Sequence, residues 1–182
     1  MKKSLCAFML LIACLSMRQV NAQQSPGRTI AAVSLTAGEL KIVKIGDEES
    51  SPNRVFFVNL NGRTIATIND AMYVNIYAYF SGLESGEVVV LNKGSGGSGC
   101  PEAFQIVYPQ SSESAYVSEE FGDCSDIPKV TLEHQQITFK FPGFYRLAQV
   151  NEPGFHLPAP STWIFRGGRL SKVRATPRRS RR

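Results

Sequence analysis

The residues best suited to chemistry are two cysteines, Cys100 and Cys124, held in turn-rich frames. The frames are Gly96-Gly97-Ser98-Gly99-Cys100-Pro101 and Phe121-Gly122-Asp123-Cys124-Ser125-Asp126. In an oxidising compartment an even pair of thiols most simply forms one disulfide. Such a bridge closes a loop of about 25 residues, which chain-entropy arguments value at about 3.5 kcal/mol. That is a large share of the roughly 5–15 kcal/mol that holds a typical domain together. Four acids, Glu119, Glu120, Asp123 and Asp126, surround Cys124. Their hard oxygen atoms suit calcium, but the spacing is not that of an Asp-x-Asp-x-Asp-Gly loop, so solvated turn acids are the default reading. No cysteine or histidine pair has zinc-ligand spacing, and no cofactor is expected.

Catalytic chemistry has fewer handles. The two histidines lie in Glu133-His134-Gln135, a polar turn, and in Gly154-Phe155-His156-Leu157-Pro158, a late loop. Ser125, Asp126 and His134 supply the composition of a hydrolytic triad, whose geometry only a fold can supply. No Gly-x-Ser-x-Gly elbow occurs. The run Gly94-Ser95-Gly96-Gly97-Ser98-Gly99 could cradle an anion. It lacks a Lys-Ser/Thr ending and precedes a strand, so tight turning into the disulfide is its expected role. Tyr73, Asn75, Tyr77 and Tyr79 share one strand face by odd-number spacing, a pattern that suits a carbohydrate or peptide. Core packing with hydroxyls at the rim explains the same pattern and is preferred.

The elements that must position these residues are nearly all strands. Thr29–Leu35 and Glu39–Ile45 flank a short Thr36-Ala37-Gly38 turn, and the second alternates apolar and polar residues. Arg54–Leu60 and Arg63–Ile68 are separated by Asn61-Gly62, the strongest short hairpin signal, because both residues tolerate positive φ. Met72–Phe80 is aromatic and predicts a central strand. Glu87–Leu91 is apolar at consecutive positions, as expected of a strand buried on both faces. Ala103–Tyr108, Ala115–Ser118, Lys129–Leu132, Gln136–Phe141 and Thr162–Phe165 complete the set. No amphipathic helix of three turns is visible. Short strands punctuated by turns predict an all-β fold: an antiparallel β-sandwich, or alternatively a small β-barrel, with one disulfide.

The termini set compartment and charge. Lys2 and Lys3 precede an apolar stretch from Leu5 to Met17, and Val20-Asn21-Ala22 suits signal peptidase. Residues 1–22 are therefore expected to be a signal peptide, cleaved before Gln23. The apolar run is too short to span a bilayer, which needs about 20 residues. Leu11-Ile12-Ala13-Cys14 offers the alternative of lipidation at Cys14, giving an outer-membrane lipoprotein. The overall charge of +5 conceals an asymmetry. Residues 1–22 hold three basic residues and 166–182 hold eight, with no acid in either. The body, 23–165, keeps nine basic residues against all fifteen acidic ones, a net charge of −6. A mildly acidic domain with a basic tail gives no reason to expect nucleic acid as a partner. The tail, 166–182, is expected to be disordered, and it could touch an anionic surface.

From Glu87 to Gly143 the chain resembles a group of uncharacterised bacterial exported proteins. The features that carry the resemblance are the Gly-Gly-Ser-Gly-Cys-Pro frame ending at Pro101, the strand with Tyr108, the Phe-Gly-Asp-Cys-Ser-Asp frame ending at Asp126, and the strand pair ending in Pro142-Gly143. The resemblance implies a secreted β-rich domain with one disulfide and implies no activity. The function expected from the sequence is therefore binding: a periplasmic or secreted protein that contacts an envelope component or a protein. One alternative is a periplasmic inhibitor or immunity protein that caps an enzyme. Another is a hydrolase whose site assembles from distant loops. A buried histidine bonded to an acid would favour the enzyme, and exposed apolar or aromatic side chains without such a group would favour binding.

Overall fold

The structure, a computed structural model, describes residues 27–46, 54–96, 100, 102–124 and 128–173. The expected signal peptide, Cys14, Ser125, Asp126 and the arginines past Val173 lie outside the described residues. Among the described residues, twelve strands and one short 3-10 helix follow in order. Strands β1 (Arg28–Leu35), β2 (Gly38–Ile45), β3 (Val55–Leu60) and β4 (Arg63–Ile68) form the first sheet. The second contains β5 (Tyr73–Leu83), β6 (Gly86–Gly94), β7 (Ala103–Pro109) and β8 (Ala115–Val117). The third contains β9 (Lys129–Glu133), β10 (Gln136–Phe141), β11 (Ser161–Arg166) and β12 (Arg169–Lys172). Each is a four-stranded antiparallel meander in which sequential strands pair.

Three open sheets stack into three layers, and none closes into a barrel. The reason lies in β6. Its residues Val88, Val89, Val90 and Leu91 are all buried, so alternate side chains face two different cores. Val89 and Leu91 join Leu40, Ile42, Phe56 and Val58 of the first sheet. Val88 and Val90 join Phe104, Ile137, Phe139 and Phe165, packing the second sheet against the third. This second core is aromatic. Phe121 meets Phe139 edge-on at 5.0 Å, and Phe104 lies 5.5 Å from Phe141, in the tilted arrangements aromatic rings prefer.

Two-residue turns close five hairpins among the described residues, three of them in one shared conformation. Asn61-Gly62, His134-Gln135 and Gly167-Gly168 all have positive φ at both positions, the conformation that matches the twist of paired strands. The disulfide Cys100–Cys124 is present, with Cα atoms 4.6 Å apart. It joins the approach to β7 to the segment after β8, which runs back alongside β7 through the Phe104–Phe121 bridge.

Three expectations are corrected. The basic tail does not begin at residue 166. Arg166 ends β11 and Arg169–Lys172 is β12, paired in register so that Leu170 faces Phe165. Backbone pairing and partial burial of Leu170 outweigh the local charge. The aromatic strand predicted to be central is β5, an edge strand of its sheet. The small-barrel alternative gives way to open sheets, because the middle layer hides both its faces against neighbours instead of curling on itself.

Candidate functional site at the turn end

The hairpin turns of all three layers gather at one end of the molecule, where side chains tie them to each other. Asn61 is the hub of the first two layers. Its Oδ1 accepts the Glu39 amide at 2.9 Å, and its Nδ2 donates to the Ala37 carbonyl at 2.9 Å and the Ser112 carbonyl at 2.7 Å. One side chain thus joins the β1–β2, β3–β4 and β7–β8 turns. A Cβ on Gly38, whose φ is +127°, would fall on the Asn61 amide, so this close approach requires glycine.

A second link runs through Glu87 at the start of β6. One carboxylate oxygen accepts the Thr36 amide at 2.5 Å, and the other accepts the Tyr79 hydroxyl. The hydrogen bond from Tyr79, reinforced by the Thr36 amide, holds the Glu87 carboxyl below its usual range. The same bond to a carboxylate raises Tyr79, because the neutral phenol is the donor. The third layer joins through Gln135, whose Oε1 accepts the Glu84 amide at 2.6 Å. The Tyr108 hydroxyl donates to the Ser85 carbonyl, and its ring packs on Gly168 of the β11–β12 turn.

Between the turns lie two shallow clefts that share Ser112. One, of about 470 Å³, runs past Thr36, Ser85, Glu87 and Gln110. The other, of about 460 Å³, is bounded by Asn61, Arg63 and Glu113. The β7–β8 turn between them is braced internally. Ser111 Oγ accepts the amides of Glu113 at 3.2 Å and Ser114 at 3.1 Å. The clefts therefore present hydroxyls, the Glu87 and Glu113 carboxylates and the Arg63 guanidinium on a braced frame. An open, shallow surface suits a macromolecular partner better than an enclosed small molecule.

The sequence-selected residues fare variously. Cys100 and Cys124 are bridged, at the opposite end from the clefts. Glu120 pairs with Lys93. Asp123 Oδ2 accepts the Gly143 amide at 2.8 Å. Glu119 borders a groove between β8 and Trp163. These acids are thus dispersed among separate contacts. Among the described residues no three His, Cys, Asp or Glu side chains form a group able to hold a metal ion. His134 and His156 are exposed, and neither bonds to an acid among the described residues.

The tyrosine face does not form as expected. A bulge at Tyr77 breaks the β5 alternation. Tyr73 and Asn75 pair opposite Gly94 and Asn92, and Tyr77 packs edge-on against Phe104 at 5.2 Å, all on the side of the third sheet. Beyond the bulge Tyr79 turns to the other face and reaches Glu87. Sequence reasoning missed Asn61, Glu87 and Ser112 as site residues. Asn61 was legible as a turn residue, but its three long-range bonds arise only when the layers stack.

No helix among the described residues is long and apolar enough to cross a membrane. Comparison with protein-family models, curated proteins and solved structures returns no match.

Proposed function

We propose that this chain is an exported protein that acts by binding, with the turn end as its recognition face. The observation that carries this reading is the cross-bracing of turns from all three layers by Asn61, Glu87 and Gln135. Turns held this way lose little conformational entropy on meeting a partner, which favours tight and selective contact. Polar turns on a rigid sheet scaffold are the usual place for recognition surfaces. The Cys100–Cys124 bridge supports export, since disulfides persist in oxidising compartments. A protein or glycan of the cell envelope, including an enzyme that this chain caps, is the partner class that fits.

The test is capture from the native cell envelope by the mature protein, followed by mass spectrometry. A doubly substituted form, Arg63→Glu with Ser112→Trp, alters both clefts at solvent-facing positions and serves as the comparison. The expected result is a reproducible partner held by the wild type and lost by the variant. Equal capture by both forms, or turnover of a generic ester or glycan by the protein alone, would overturn the reading.

A further inference from the structure

The end of the molecule opposite the hairpin turns carries a second surface of different chemistry. The connection from β10 to β11 there is internally built. Gln149 Oε1 accepts the Arg146 amide at 2.8 Å, and the Gln149 amide donates to the Arg146 carbonyl at 2.9 Å, closing the 3-10 turn Leu147–Asn151. Tyr145 packs against Phe155 in a tilted arrangement with ring centroids 5.6 Å apart. Gly143, with φ +94°, lies so close to Pro158 that a Cβ would collide with its carbonyl. Yet this braced loop turns apolar side chains outward: Val150 is 47% exposed, Leu157 72% and Tyr145 38%.

Cations border the loop. Lys140 sits next to Phe141, where β10 ends, directly opposite Lys129 of β9. Both point away from the core, and neither has a carboxylate within ion-pair distance among the described residues. Like charges directly opposed across a sheet are destabilising, so this pair calls for an external anion. The Val173 amide donates to the Thr162 carbonyl at 2.8 Å, extending the row of Lys129 and Lys140, while Lys172 belongs to the next row, on the other face of the sheet, where it lies over Trp163. Past Val173 the sequence adds five arginines and no acid. Glu152 is the one acid within the loop, against Arg146.

We infer that this end of the molecule docks on an anionic phospholipid surface, with Leu157, Val150 and Tyr145 entering the headgroup layer and Lys129 and Lys140 meeting phosphates. The pairing of protruding apolar side chains with flanking cations is what an interfacial contact needs, since either contribution alone gives marginal binding. Tyrosine suits the boundary between headgroups and chains. This docking is independent of recognition at the turn end and would leave that end facing outward from the bilayer.

Flotation of the full mature chain with vesicles tests it. Vesicles of phosphatidylglycerol mixed with phosphatidylcholine should carry the protein at low salt, and pure phosphatidylcholine should not. Each neutralised lysine should weaken binding about fivefold, so Lys129→Gln with Lys140→Gln should lose more than tenfold. Leu157→Asp, at a solvent-facing position, should weaken binding to a similar degree with circular dichroism unchanged. Replacing the five terminal arginines by glutamine should weaken binding without abolishing it. Four results would overturn the inference. These are equal binding to neutral vesicles, wild-type binding by the Leu157 and lysine variants, complete loss in the arginine variant, and equal affinity for soluble heparin with the same mutational dependence.

Discussion

Asn61 reaches across a sheet boundary: its side-chain amide donates to the Ser112 carbonyl at 2.7 Å, locking the turn of one layer to the turn of the next. Asn61 also holds a positive φ of 50°, which asparagine tolerates better than most residues. Asn61→Ala should therefore lose three side-chain hydrogen bonds and the backbone preference together. The expected cost is about 2–3 kcal/mol in urea unfolding under oxidising conditions. Asn61→Gly keeps the backbone freedom and loses only the bonds, so it should fall between the two.

Neighbouring residues of β6 should both be sensitive to truncation. Leu91→Ala opens a cavity in the first core and Val90→Ala one in the second. Each should cost about 2 kcal/mol or more. In a two-layer sandwich one of two adjacent strand positions faces solvent, and its truncation is nearly neutral. The pair therefore reports the third layer directly, by equilibrium denaturation of the two single variants.

The Tyr79–Glu87 contact should be visible as titration. By carboxyl NMR, Glu87 should titrate below the usual glutamate range, and Tyr79→Phe should move it back up. With its folded pKa depressed, Glu87 contributes stability that is present above its unfolded value and lost as pH falls through the lowered one. Tyr79 has the opposite sign. Its contribution is present below the ordinary tyrosine pKa and lost as pH rises through the raised value. Both groups lie near the surface, so the spectroscopic shift is the sensitive readout.

Much of this architecture is legible in the sequence, and the losses have physical causes. Arg63–Ile68 and Gln136–Phe141 are strands with the boundaries that alternation assigns, because turn residues bracket them tightly. The consecutive valines of β6 announce a strand buried on both sides. Periodicity, however, states which faces are apolar and leaves open how many sheets stack, so the third layer was not legible. Tyr79 was misplaced because a bulge of one residue reverses every side chain beyond it. Strand β12 was hidden because Arg169-Leu170-Ser171-Lys172 has a single apolar residue amid cations. Gly167-Gly168 before it was the available signal, a hairpin turn joining it to β11. The Glu87 contacts join residues from separate layers, which no local pattern encodes.

The disulfide should matter more to persistence of the fold than to its shape. Cys100→Ser with Cys124→Ser should lower stability by about 3.5 kcal/mol. Both cysteines lie at the end away from the clefts, so partner capture by the folded fraction should be unchanged. Intact-mass measurement after alkylation without reduction should find both thiols blocked in the wild type.

Recognition by the turn end is tested most directly by site-specific photo-crosslinking. A benzoylphenylalanine placed at Ser112, between the two clefts, is compared with one at Thr67, on the outward face of the first sheet. In native envelope preparations the Ser112 probe should yield one discrete adduct, and the Thr67 probe none. The absence of an adduct from Ser112, or the same adduct from both positions, would contradict a binding role for this end of the molecule.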